Sequence, residues 1–303
     1  MSGDRPGGAR VPVRRSQLTA ALRALGVSEA SVLFVHTSMS SLGWVVGGAE
    51  TVVRALLDAV GPRGTIAAVA SWCDIPLRID EWPADRQLDY LEEMPGFDAD
   101  HSEANPLYGR VPERIRSWPG SRKSGHPDQR VVAIGERAPW LTAPHPLDDS
   151  FGTGTPFARL VECGGQVLML GAPLRSLTLL HHAEAIADVP GKRRRTYSLP
   201  FATSDGAEWR TLQDIDVEYG PFPYEQAVEG GRDPLQGIAA MAEAALRAGI
   251  GVRGRIAGAE SHLFPAAPLV SFAVRWLEER FSAAPEGDPQ HPRCRQREAE
   301  GEE

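Results

Sequence analysis

The sequence predicts an α/β chain, with α+β as the alternative: a single compact domain whose mixed central sheet is flanked by helices and carries an acidic irregular insertion. Three observations predict it. Apolar runs of strand length recur, such as "SVLFVHTSM" and "GGQVLMLGA". Longer stretches with apolar residues at helical spacing separate them. Near the start, "SVLFVHTSM", "GAETVVRALLDAVGPRG" and "GTIAAVASW" read as strand, helix and strand. That order suggests a right-handed crossover joining parallel strands.

The elements follow in chain order. Residues 1–12 are rich in Gly, Pro and Arg and read as a disordered arm. Ser16 can cap a short helix, with Leu18, Leu22 and Leu25 on one face and Gly26 at its end. The crossover comes next. Residues 73–110 are acidic, aromatic and broken by proline, and a long irregular stretch inside a compact domain is often functional. "RVPERIRSW" reads as a helix, and "RVVAIG" and "GGQVLMLGA" as strands. "TLLHHAEAIAD" is a helix stopped at Pro190-Gly191. "GKRRRTYSLPFA" and "EWRTLQDIDVEY" read as paired strands, and "DPLQGIAAMAEAALRAG" and "APLVSFAVRWLEERF" as two closing helices. The domain is expected over 13–282, with residues 283–303 as a disordered polar tail.

Composition narrows the partners. With 303 residues, 42% hydrophobic and 24% charged, the chain can bury a sizeable core. Thirty-two basic against 40 acidic residues give a net charge of -8. This argues against nucleic acid or an anionic membrane as the main partner and allows a cationic ligand. Cys73, Cys163 and Cys294 form no CxxC pair, which speaks against a thiolate metal site or a disulfide framework and fits a reducing cytoplasm. The N-terminus lacks the apolar stretch of a secretory signal, and no apolar run is long enough to span a membrane.

Four constellations carry chemistry. In "HHAE", His181 and Glu184 are three apart and share a helix face, while His182 points elsewhere. A carboxylate beside an imidazole fixes its tautomer and raises its basicity. The same pair also reads as a helix-cap histidine beside a surface glutamate. A di-metal site would need a matching motif on a second helix, and none is present. Next, "VHTSMSSLGWVVGG" places Thr37, Ser38, Ser40 and Ser41 between a strand and a helix, where hydroxyls and backbone N–H groups can hold phosphate or a carbonyl oxygen. It is neither a Walker loop nor a dinucleotide fingerprint. A basic turn follows, with Arg116, Arg122 and Lys123, suited to a phosphorylated cofactor. Last, Asp74, Asp80, Glu81, Glu92, Glu93, Asp98, Asp100 and Glu103, with Asp214, Asp216 and Glu218, can focus negative potential on one cleft.

Taken together, these segments resemble the aminoglycoside 3-N-acetyltransferase family, which is distinct from the common acetyltransferase superfamily. Six motifs appear in the family's order. They are "VHTSMSSLGWVVGGAETVVRALLDAVGPRGTI", "FDADHSEANP", "SGHPDQRVVAIG", "PHPLDDSFGTGTPFARL", "VLMLGAPLRSLTLLHHAEAIADVPGKRR" and "GAESHLFPAAPLVSFAVRWLEER". The match spans roughly residues 15–282. The family's T-x-x-H-x-A-E falls on Thr178, His181, Ala183 and Glu184, so His181 is the family histidine. Departures occur at Leu177, where the family often has Asn, and at Arg130, where it often has Ser. A milder one is Thr155 in the Gly152, Thr155, Pro156 segment. "RIAGAE" shares letters with the pyrophosphate loop of the common superfamily, but it ends in Glu260 and is set aside.

The resemblance implies acetyl transfer from acetyl-CoA, as cosubstrate and without a metal, to the 3-amino group of a 2-deoxystreptamine aminoglycoside, a reaction that confers antibiotic resistance. It implies His181 as general base, oriented by Glu184. The cofactor contacts it suggests are His36, Thr37, Ser38, Ser40, Arg122, His126, Gly152, Thr155 and Thr178. The acidic residues assigned to the drug are Asp74, Asp98, Asp100 and Asp216. The expected partners are an aminoglycoside and coenzyme A, with a homodimer left open. Two alternatives stay open: an enzyme of the same fold acting on another amine, and a non-catalytic binder of cationic drugs.

Overall fold

The computed structural model describes residues 11–72, 79–229 and 233–282. The expected disordered tail, most of the expected N-terminal arm, and Asp74 therefore lie outside the described residues. So do Cys73 and Cys294, while Cys163 is a free thiol.

The first half runs α1 (Arg15–Leu25), β1 (Val32–Thr37), α2 (Met39–Leu42), α3 (Gly48–Val60), β2 (Thr65–Val69), α4 (Ala84–Glu93), α5 (Arg110–Arg116), β3 (Arg122–Lys123), β4 (Val131–Gly135) and α6 (Ala138–Thr142). The second runs α7 (Pro156–Glu162), β5 (Gln166–Leu170), α8 (Leu179–Ile186), β6 (Arg194–Thr203), β7 (Gly206–Ile215), α9 (Pro234–Arg247), β8 (Val252–Ile256), β9 (Ala259–Pro265) and α10 (Ala266–Phe281).

Seven strands form one mixed sheet in the order β3-β4-β2-β1-β5-β9-β8. β1 pairs in parallel with both β2 and β5, and the crossover from β1 to β2 runs through α3, as the sequence order predicts. Every other pairing is antiparallel. The central strands are apolar through their middles because both faces of the sheet are covered. Their residues alternate between two cores with the period of a strand. Phe34, Ala67, Val131 and Val167 face a core closed by α6 to α10. Leu33, Ile66, Val132 and Leu168 face a second core closed by α1, α3 and α5.

The sequence pairs β6 with β7 correctly, but they form a separate two-stranded sheet rather than joining the main one. Its inner face packs Leu199, Phe201 and Leu212 against Trp72, Met94 and Phe97. The acidic insertion is less irregular than expected, since it contains α4 and is pinned by bridges from Trp72 to Ala104 and from Phe97 to Phe201. "RIAGAE" is the tight turn of the β8–β9 hairpin, which excludes a phosphate loop opening a helix there. Ser16 is not a cap: α1 begins at Arg15, and the Arg14 N–H donates to the Gln17 side chain over 2.9 Å.

Arg130, one of the two larger departures from the family pattern, explains how the insertion is held. Its side chain is wholly buried. Nε donates to the Ala70 carbonyl at 2.7 Å, Nη1 to that of Ser102 at 2.8 Å and Nη2 to that of Glu103 at 3.1 Å. The other, Leu177, is fully buried in the first core. A charged donor gives roughly 1.5–3 kcal/mol per hydrogen bond. Arg130→Ala is therefore expected to lower unfolding free energy by about 3 kcal/mol or more. It should also speed amide exchange in residues 97–104. A loss under about 1 kcal/mol in urea titration would show that the arginine does not anchor the segment.

Candidate active site

β1, β2 and β5 run in parallel, so their carboxyl ends meet on one side of the sheet. Open α/β sheets place ligand crevices at such ends. Here a cleft of ≈ 1100 Å³ opens there. β1 contributes Val35, His36 and Thr37, and the turn after it Ser38 to Ser40; Ser71 and Trp72 follow β2, and Ala172 and Pro173 follow β5. Thr178 and His181 face in from the start of α8.

The turn after β1 is tightly built. The Ser38 N–H donates to the Leu170 carbonyl over 3.0 Å. The Ser38 hydroxyl lies 2.8 Å from that of Ser41 and 3.1 Å from that of Ser40. Gly171 has φ +67, and a Cβ there would sit 2.9 Å from the Cβ atoms of Ser41 and Ala259. Only glycine permits that approach. Two polar atoms on this wall, His36 Nε2 and Thr37 Oγ1, are buried with no partner in the protein. Buried polar groups are normally satisfied, so both are suited to a polar ligand entering the cleft. Burial, with His181 nearby, pushes His36 down to about 4, so it is neutral near pH 7.

His181 and Glu184 share a face of α8, as their spacing predicts. His181 Nδ1 lies 2.6 Å from Glu184 Oε2. A carboxylate can only accept, so Nδ1 carries the proton and Nε2 keeps its lone pair. The imidazole remains 12% exposed, whereas the carboxyl is 1% exposed behind it. The other carboxyl oxygen, Oε1, accepts from the Tyr224 hydroxyl. Phe151 packs against the imidazole with ring centroids 5.1 Å apart. His182 points away from this pair, its Nδ1 donating to the Phe151 carbonyl at 2.5 Å.

Six residues named from the sequence as lining groups are brought together in the cleft: His36, Thr37, Ser38, Ser40, Thr178 and His181. The remaining cofactor candidates stand elsewhere. Arg122 is exposed on β3 at the sheet edge. His126 is wholly buried, its Nδ1 accepting from the Gln129 N–H at 3.0 Å. Gly152 and Thr155 serve the chain itself: the Thr155 hydroxyl donates to the Gly152 carbonyl and caps α7 by accepting from the Ala158 N–H.

The acidic candidates have partners of their own. Asp98 closes its own loop, accepting from the N–H groups of Asp100 and His101 and pairing with the His101 ring at 2.7 Å. Asp100 meets Lys123 at 3.2 Å. Asp216 accepts from the Tyr219 N–H. None of the three is among the cleft's lining residues, which instead include the carboxylates of Asp128, Glu218 and Asp233. Asp128 accepts from Tyr197 at 3.0 Å and from Arg195 at 3.1 Å, and Arg195 also pairs with Glu218. Glu218 stands in the acidic run of the sequence, whereas Asp128 sits in "HPDQR" with no other acidic residue beside it. Arg110 and Arg175 add cations to the lining. Among the described residues, no group of three His, Cys, Asp or Glu side chains is arranged to hold a metal ion.

Behind Asp128 lies a buried polar layer. His145 Nε2 donates to the Ser150 carbonyl at 2.9 Å, and the Ser124 hydroxyl donates to His145 Nδ1 at 2.9 Å. Burial lowers His126 and His145 to about 3. Asp214 accepts from the Ser150 N–H at 3.0 Å, and burial, its largest cause, raises it to about 7.

The family profile described as aminoglycoside 3-N-acetyltransferase matches residues 34–278. The chain is 46% identical to aminoglycoside N(3)-acetyltransferase VII of Streptomyces paromomycinus, over 89% of this chain and 93% of that protein. Among solved structures, AAC-IIIb as a binary complex with CoASH superposes with a TM-score of 0.80 at 39% identity, over 90% of this chain and 98% of the other. AAC-VIa bound to sisomicin gives a TM-score of 0.80 at 38% identity, over 90% of this chain and 100% of the other.

The raised Asp214 carboxyl has a definite stability consequence. Its folded value of about 7 exceeds its ordinary 3.8. Its contribution is therefore fully present below the ordinary value and is lost as pH rises through the folded one. Asp214→Asn keeps the acceptor for Ser150 and removes the titration. Relative to the parent, this variant is expected to gain about 2 kcal/mol or more between about pH 5 and about pH 8. A difference that stays flat across that range in chemical denaturation would contradict the assignment.

Proposed function

Because the chain belongs to the aminoglycoside 3-N-acetyltransferase family, we propose that it moves the acetyl group of acetyl-CoA to the 3-amino group of a 2-deoxystreptamine aminoglycoside, with His181 as general base. Such a reaction confers antibiotic resistance. The observation that carries the residue assignment is His181 lining the cleft with its Nδ1 2.6 Å from the buried carboxyl of Glu184.

The chemistry follows from what each group can do. A thioester is already activated, so no covalent enzyme nucleophile is needed. The amine is the obstacle, because near pH 7 it is mostly ammonium and has no lone pair to offer. Carboxylates in the cleft draw the cation in. Asp128, Glu218 and Asp233 line it, with Arg195 bridging the first two. One proton of the ammonium passes to solvent, and His181 Nε2 takes a second as the freed lone pair of the amine nitrogen bonds to the carbonyl carbon. The carbon–sulfur bond then breaks, and the imidazolium returns its proton to the leaving thiolate. The products are the amide and free thiol.

His36 stays neutral beside His181, since burial holds it at about 4. It therefore sets no positive charge against the developing imidazolium. General base catalysis contributes about 10²–10⁴-fold, and holding both substrates in one cleft can add more. The wall from His36 to Ser40, with Thr178, suits the pantetheine arm and the thioester oxygen, since its polar atoms His36 Nε2 and Thr37 Oγ1 lack protein partners. Arg110 and Arg175 are the lining cations suited to the coenzyme phosphates.

His181→Ala is expected to cut turnover by about 10²-fold or more, measured as thiol release with acetyl-CoA and gentamicin, kanamycin or neomycin. His182→Ala should do much less. Near-normal turnover in His181→Ala would refute the base assignment, and turnover with unrelated amines alone would refute the substrate class. Asp128→Asn is expected to raise KM for the aminoglycoside by about 10-fold. KM for acetyl-CoA should change little. A KM for the drug equal to the parent's would remove Asp128 from the cation site.

A further inference from the structure

We propose that Tyr224 is a positioning residue for the reaction, its hydroxyl holding Glu184 in the orientation that aims His181 into the cleft. The inference rests on His181 being the base.

Glu184 is a carboxyl group inside the core, and burial disfavours its ion unless donors meet it. Its oxygens are divided between two partners. Oε2 faces His181 Nδ1, and Oε1 accepts from the Tyr224 hydroxyl. The first contact lies within α8, while the second comes from a different part of the chain. The second therefore ties the carboxyl, and through it the imidazole, to a segment outside α8.

Tyr224 is built to be immobile. It is 1% exposed and opens a short 3-10 turn at Tyr224–Gln226, ahead of α9. Its ring stands edge-on to Phe222 and Phe281, with centroids 6.0 Å and 5.6 Å away. Its carbonyl accepts from the Ala227 and Val228 N–H groups. Gly237 on α9 makes room for the ring: a Cβ there would lie 2.5 Å from Tyr224 Cδ1 and Cε1. Glycine in a helix interior costs about 1 kcal/mol against alanine. At this position it permits a tyrosine where any larger residue would displace the ring. Burial and the neighbouring carboxylate drive the phenol well above its usual range, so it stays a donor wherever the enzyme works.

Three other ionisable groups stand near this unit. His36 on β1 is neutral beside His181. Lys192 feels the Glu184 charge, but its ammonium donates to the Ala185 and Ala187 carbonyls at 2.6 Å and 2.8 Å. His182 is turned to Phe151. Losing the tyrosine hydroxyl would concentrate the carboxylate's charge on the oxygen that faces His181. That stabilises imidazolium, so the pair would take up its proton at higher pH.

The test is the pH profile of kcat/KM for Tyr224→Phe, with folding checked by thermal melting. The acid limb is expected to move up by roughly half a pH unit or more. At the optimum, kcat should fall about 10-fold, with both KM values near the parent's. A tyrosine that merely fills space would lower activity equally at all pH values. Gly237→Ala, which keeps the hydroxyl but displaces the ring, should move the limb the same way, and it carries the test should Tyr224→Phe fail to fold. A folded variant whose acid limb coincides with the parent's overturns the proposal. Turnover surviving in His181→Ala is a separate failure, because it removes the base and not the tyrosine.

Discussion

Glu184 places a carboxyl group where water does not reach, and a group so placed must be answered by donors from the protein. The answer comes from two directions, from His181 on its own helix and from Tyr224 beyond β7. The constraint propagates outward. Tyr224 needs Gly237 for space and Phe222 and Phe281 for walls, which fixes α9 and α10 against α8. An imidazole at the surface can be oriented by water. His181 stands at the rim of an apolar core, and its carboxyl partner is held by the packing of three helices.

The sheet supplies the second condition. Parallel pairing of β1 with β2 and β5 brings three loops to one edge, and the cleft is the space they leave. The cleft's lining carries both signs of charge. Asp128, Glu218 and Asp233 suit a cation, while Arg110 and Arg175 suit phosphates. The lining thus offers complementary charge to a cation and to phosphate groups within one cavity. Arg195, joined to Asp128 and Glu218, keeps two carboxylates close without leaving either unopposed.

The helix face carrying His181 and Glu184 was legible because α-helical spacing is a local property of four residues. The crossover at β1 and the pairing of β6 with β7 were legible for the same reason, since neighbouring segments meet. The acidic residues were not. Asp98 is engaged by its own loop and one oxygen of Asp100 meets Lys123, contacts that no local pattern announces. Asp128 was passed over because nothing local marks it; Arg195 and Tyr197, nearly seventy positions away, give it its place. Thr155 caps α7, a role that depends on which N–H happens to lie near its hydroxyl.

Taken alone, the sequence determined the kind of fold, the family, and the imidazole–carboxylate pair, because periodicity, motif order and i,i+3 spacing depend only on residues close along the chain. The tertiary structure decided which charges face the cleft, that Arg130 ties the insertion to the sheet, and that Tyr224 stands behind Glu184. Those facts depend on contacts between distant segments. A donor or acceptor has no function in binding or catalysis until the fold has settled what stands within about 3 Å of it.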